Sequence, residues 1–80
     1  MSFLLDNNIL MTGREFIKRV TEVGRARGVA VRLDYRRGKG SHATLYYGAR
    51  KTVIPERRKE IRPGLLAAML RHLGLDRNDI

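Results

Sequence analysis

Two stretches of this chain place apolar residues at helical spacing, and the stretch between them alternates apolar with polar. In the first, Phe16, Ile17, Val20 and Val23 fall on one face of a helix. Ahead of them Thr12-Gly13-Arg14-Glu15 has the form of a capping box, with Met11 and Phe16 in the positions of a hydrophobic staple. Gly24 or Gly28 ends this helix. Residues 29–35 then alternate with period two, so Val29, Val31, Leu33 and Tyr35 share a face. Arg36-Arg37-Gly38-Lys39-Gly40 reads as a turn. A second strand over residues 41–47 puts Ala43, Leu45 and Tyr47 on one side and His42, Thr44 and Tyr46 on the other. A turn at Gly48-Ala49-Arg50 leads to a short strand, 51–54, which Pro55 stops. Beyond a charged loop at 56–62, Pro63 opens a second helix at a position that needs no N–H. Its apolar stripe is Leu65, Leu66, Met69, Leu70 and Leu73, and Gly74-Leu75 has the form of a Schellman end.

Both helical stripes and the apolar face of the sheet need cover, and packing both helices on that face supplies it. The predicted architecture is α+β: an α-β-β-β-α chain with a three-stranded antiparallel sheet and both helices on one face, the layout of the double-stranded RNA-binding fold. Residues 12–75 form the domain, 1–11 an N-terminal arm or leader and 76–80 a C-terminal tail. The apolar residues of the arm (Phe3, Leu4, Leu5, Ile9 and Leu10) are interrupted by Asp6, Asn7 and Asn8. Neither a signal peptide nor a membrane span is expected there, and the predicted location is the cytoplasm. A fold of this kind hosts many activities and assigns none.

Charge narrows the partners. Lys and Arg number 17 against 8 acidic residues, a net charge of +9. Thirteen of the 17 are arginine, whose planar fork grips phosphate with two parallel hydrogen bonds. Residues 36–62 hold nine basic and two acidic side chains and so carry +7 of that charge. Nucleic acid is the leading partner of such a surface; an acidic protein or an anionic membrane could use the same charge, and a merely solvated face is the plain alternative. The absence of cysteine removes disulfides and thiolate metal sites, and two histidines 30 positions apart without a carboxylate cluster argue against a dedicated metal centre. No cofactor is expected.

The candidate for chemistry is His42, in Gly40-Ser41-His42 at the start of a strand. Imidazole titrates nearest neutral pH of all side chains and moves protons in either direction. On the strand pattern alone it could equally be a polar residue on a wet face. His72 lies beside the main apolar stripe and reads as an exposed helix residue. Tyr46 could stack on a base or pack across the sheet. Ser41 joins the candidate RNA contacts, although its hydroxyl could also bond its own turn. Arg57, Arg58 and Lys59 suit RNA or an acidic protein surface.

The chain resembles the HicA family of bacterial toxins, small mRNA interferases. The resemblance rests on Lys39-Gly40-Ser41-His42, Thr52-Val53-Ile54-Pro55, Lys59-Glu60-Ile61, Gly64-Leu65-Leu66, Met69-Leu70-Arg71 and Leu73-Gly74-Leu75, in that order, from about residue 12 to 75. It implies ribosome-independent RNA cleavage, neutralisation by a HicB-type antitoxin with possible oligomers of the complex, and a catalytic role for His42. Val29 stands where family members usually carry an aromatic residue, Ala43 replaces a second histidine, and Arg57 and Arg58 replace histidines often seen after the third strand.

Metal-independent cleavage on this pattern makes His42 a general acid or base. Arg36, Arg37, Lys39 or Lys51 would hold the phosphate, and Tyr46, Arg57 and Arg58 would supply further RNA contacts. The second proton transfer falls to water or to Tyr46. The alternative functions are a non-catalytic RNA-binding module of the same fold and an interaction protein with an acidic partner.

Overall fold

The computed structural model describes residues 11–35 and 42–80. Its elements run β1 (Met11–Thr12), α1 (Gly13–Arg27), β2 (Val31–Asp34), β3 (Ala43–Tyr47), β4 (Arg50–Ile54), β5 (Glu60–Ile61) and α2 (Pro63–Leu73), followed by a single 3-10 turn at Arg77–Asp79. Strands β2, β3 and β4 form an antiparallel sheet in that order, so the predicted three-stranded α+β architecture is present.

Helix α1 starts where the capping box places it. The Thr12 hydroxyl accepts from the Glu15 N–H at 3.2 Å, and the Glu15 carboxylate accepts from the Thr12 N–H at 2.9 Å. The helix ends at Gly28, in the left-handed conformation with φ 71°. Gly24 has another role. A Cβ there would lie 2.7 Å from the Val29 carbonyl oxygen, because the chain doubles back against the helix to enter β2. Helix α2 closes in a Schellman motif at Gly74: its N–H donates to the Arg71 carbonyl and that of Leu75 to the Leu70 carbonyl.

The core lies between the helices and one face of the sheet. Phe16 and Val20 of α1, Leu45 of β3, Ile54 of β4, and Leu66, Met69, Leu70 and Leu73 of α2 are buried in one cluster, with Ile17, Val23, Val31, Leu33 and Tyr47 packed on its margin. The Tyr47–Arg50 hairpin has a two-residue loop, Gly48-Ala49, with positive φ only at Gly48, the type II′ pattern.

The structure departs from the sequence reading at several positions: β2 starts at Val31 rather than residue 29, β3 at Ala43, after His42, and β4 already at Arg50. Residues 60–61 are not all loop: Met11 pairs with Ile61 and Thr12 with Glu60, a two-residue ladder too short to leave an alternating pattern. Tyr35 follows β2 rather than continuing it and is 48% exposed. Leu65, in the first turn of α2, is 41% exposed although it belongs to the apolar stripe.

The ladder brings the start of α1 against the segment after Pro55. The Gly13 and Arg14 N–H groups donate to the carbonyls of Lys59 and Arg57. A Cβ on Gly13 would lie 2.7 Å from the Arg57 Cα and 2.9 Å from the Glu56 carbonyl oxygen, and neither is a flexible side chain. Gly13→Ala is therefore expected to force the two backbones apart and cost about 1–3 kcal/mol, the usual range for overpacking. For a domain of this size that lowers the melting temperature by roughly 4 °C or more, read by circular dichroism.

At the far end, the tail is fastened to α1. The Arg27 guanidinium donates to Asp79 at 2.7 Å. Asp79 also accepts from the Asp76 N–H, and this bond, with Arg27 second, holds its carboxyl below the ordinary carboxylate range.

Candidate nucleic-acid interface

Because side chains alternate along a strand, the sheet face turned away from the helices carries a separate set of residues. Inward go Ala43, Leu45 and Tyr47 of β3 and Thr52 and Ile54 of β4; outward go Thr44 and Tyr46, and Lys51 and Val53. Val53 is 54% exposed, an apolar side chain standing on a wet face. The register pairs Arg32 with Tyr46 and Tyr46 with Lys51, and Asp34 with Thr44 and Thr44 with Val53. Two rows thus cross the outer face.

The first row is joined by more than register. The Arg32 guanidinium lies 4.1 Å from the centre of the Tyr46 ring, a cation–π contact, and its Nη1 is 3.7 Å from the Asp34 carboxylate. The cross-strand role that the sequence left open for Tyr46 is therefore present. Arg32 escaped the sequence-based set of contacts, although the alternation of residues 29–35 already turned it away from Val31 and Leu33.

His42 is exposed and directly precedes Ala43, which pairs with Ile54. It stands at the end of the sheet where β4 gives way to Pro55, Glu56 and Arg57. Tyr35 reaches the same end, one residue beyond the Asp34–Thr44 pair. The Arg57 guanidinium sits 4.7 Å from the centre of the Tyr35 ring, and Nη1 donates to the Tyr35 hydroxyl at 3.2 Å. Arg57 is half-buried, and its Nε is buried without a hydrogen-bond partner. Arg58 is exposed; its N–H donates to the Glu56 carboxylate at 3.3 Å. Arg36, Arg37, Lys39 and Ser41 lie outside the described residues.

The outer face also borders a groove of about 780 Å³. Asp34, Thr44, Tyr46, Lys51 and Val53 line it from the sheet, and it passes over the open edge of β4 to Leu65, Met69 and His72 of α2. His72 is exposed, as its place beside the stripe predicts, but it is not idle: its Nδ1 lies 2.9 Å from the hydroxyl of the buried Thr52. The sequence separates these partners by 20 positions, and no spacing rule could join them.

No described helix is long and apolar enough to cross a membrane. No curated protein and no solved structure matches the chain. A family model described as the HicA toxin of bacterial toxin–antitoxin matches residues 29–75. The matched segment covers more than half of the chain, from the residue after the α1 cap to the Schellman leucine that closes α2, and the chain belongs to the HicA toxin family of bacterial toxin–antitoxin systems.

Proposed function

We propose that this chain is an endoribonuclease, an mRNA interferase held in check in the cytoplasm by a HicB-like antitoxin, and that His42 is its general acid or base. The observation that carries this reading is an exposed imidazole at the head of β3, next to the most basic part of the sequence, in a chain of the HicA family. In the base role, His42 takes the proton of a ribose 2′-hydroxyl as that oxygen attacks the adjacent phosphorus. The bond from phosphorus to the 5′-oxygen breaks, and the leaving oxygen takes up a proton. Tyr46 stands four residues along β3 from His42, about 13 Å at strand rise, too far to act on the same phosphodiester. Water supplies that second proton. Arg36, Arg37 and Lys39 are cations for the phosphate charge, whereas Lys51, paired with Tyr46, is as far along the sheet from His42 and meets a neighbouring phosphate; Arg57, already engaged with Tyr35, contributes field more than direct contact.

The chemistry fixes the ends of the fragments. The purified protein is expected to leave 2′,3′-cyclic phosphate and 5′-hydroxyl termini on a synthetic oligoribonucleotide. A single 2′-deoxy substitution should block the cut at its own position. Fragments ending in 3′-hydroxyl and 5′-phosphate, read by mass spectrometry, would rule the mechanism out.

A further inference from the structure

We propose that the row Arg32–Tyr46–Lys51 and the groove beside it form a nucleotide subsite for single-stranded RNA, set along β3 from the bond cut at His42. The inference rests on the endoribonuclease reading and adds to it the form of the substrate and a residue, Arg32, outside the basic window of the sequence.

Four observations carry it. Thr44 and Tyr46 occupy alternate positions of β3 on its outer face, and His42 is the residue directly before that strand, so the row and the reactive end lie along one strand. The row ends on a cation at each side, Arg32 on β2 and Lys51 on β4, with the aromatic ring between them. The groove that Tyr46 and Lys51 line is within the ~300–1,000 Å³ range of ligand clefts, and apolar Val53 and Leu65 give it a surface for the flat face of a base. Val53 and Leu65 are the large apolar side chains left open to solvent beside it.

The chemistry of that arrangement selects its ligand. Unpaired bases stack on aromatic rings and guanidinium planes, whereas an A-form duplex keeps its bases stacked inside and offers mainly backbone and 2′-hydroxyls. An aromatic ring flanked by cations is therefore matched to a single strand. Arg32 lies over the Tyr46 ring at 4.1 Å, and with its side chain 60% exposed it remains accessible to a phosphate. The subsite lies about 13 Å from His42, so it is reached only by a strand that extends beyond the nucleotides flanking the scissile bond.

The test compares kcat/KM for a ribodinucleotide, a single-stranded octaribonucleotide and the same octamer in a duplex. For the wild-type protein the single-stranded octamer is expected to be the best substrate. Arg32→Ala and Tyr46→Ala should each reduce the octamer-to-dinucleotide ratio about tenfold, through KM, the scale of one lost base stack. Tyr46→Phe, which keeps the ring, should retain the ratio, and it keeps the test decisive where the alanine variant folds poorly. Lys18→Ala, which removes one charge from α1, should leave the ratio alone. Octamer kinetics unchanged in Arg32→Ala and Tyr46→Ala, or a preference for duplex, would overturn the subsite while the nuclease reading stands; the row would then be a surface for a protein partner. A wild-type protein that cuts none of the three would overturn both.

Discussion

His42→Ala is expected to reduce RNA cleavage by about 10²- to 10⁴-fold, the usual contribution of one positioned proton-transfer group. The effect should appear in kcat, because an imidazole that shuttles a proton acts on the transition state and adds little to RNA affinity. Stability should barely move. His42 is exposed, stands outside the core cluster and precedes the first ladder pair of β3, so its loss opens no cavity. Surface changes of this kind usually shift stability by less than about 0.5 kcal/mol. The measurement is the single-turnover rate of purified wild type and variant on one oligoribonucleotide, with melting curves alongside. In induced cells, growth arrest and RNA decay should vanish with the variant while its level stays the same. A folded His42→Ala protein that cuts RNA at the wild-type rate would remove His42 from the mechanism. A wild-type protein that binds RNA without cutting it would identify a binding module instead.

The elements legible in the sequence were those whose signals are local. A capping box, a period-two alternation and a glycine at a helix end each involve residues within a few positions of one another, and Thr12, Leu45 and Gly74 behave as their neighbours require. What stayed hidden depends on residues far apart. The β1–β5 ladder joins positions 48 and 50 apart through two residues each. Tyr35 fits the alternation of β2 yet lies past the strand's end and is exposed, its ring meeting the Arg57 guanidinium 22 positions away. Leu65 obeys the helical stripe yet stays exposed, because the first turn of α2 projects beside the open edge of β4. For the candidate site, the face of Tyr46 followed from periodicity alone, and that of Lys51 from its pairing with Tyr46. Their junction with Arg32, and that of His72 with Thr52, required the strand register and the docking of α2.

Phe16→Ala is expected to do the opposite of His42→Ala and destroy activity through the fold. Phe16 is fully buried in the first turn of α1, in the cluster that joins that helix to Leu45, Ile54 and α2. It also occupies the staple position opposite Met11, whose strand pairs with β5. Truncating a buried phenylalanine typically costs about 3–5 kcal/mol, from lost transfer energy and the cavity left behind. At roughly 0.05–0.15 kcal/mol per residue, a domain of this length has only about 4–12 kcal/mol in all. The substitution therefore removes a quarter or more of the stability and, at the lower bound, nearly all of it. The melting temperature should fall by at least about 12 °C, with loss of near-ultraviolet tyrosine signal in the same transition. Phe16→Leu fills most of the space and should lose much less, which separates a packing defect from a change at the site. The two inactive proteins would then be told apart by one observable: His42→Ala melts with the wild type, and Phe16→Ala does not. A Phe16→Ala melting point within about 3 °C of the wild type would mean that α1 is held to the sheet by something other than this core.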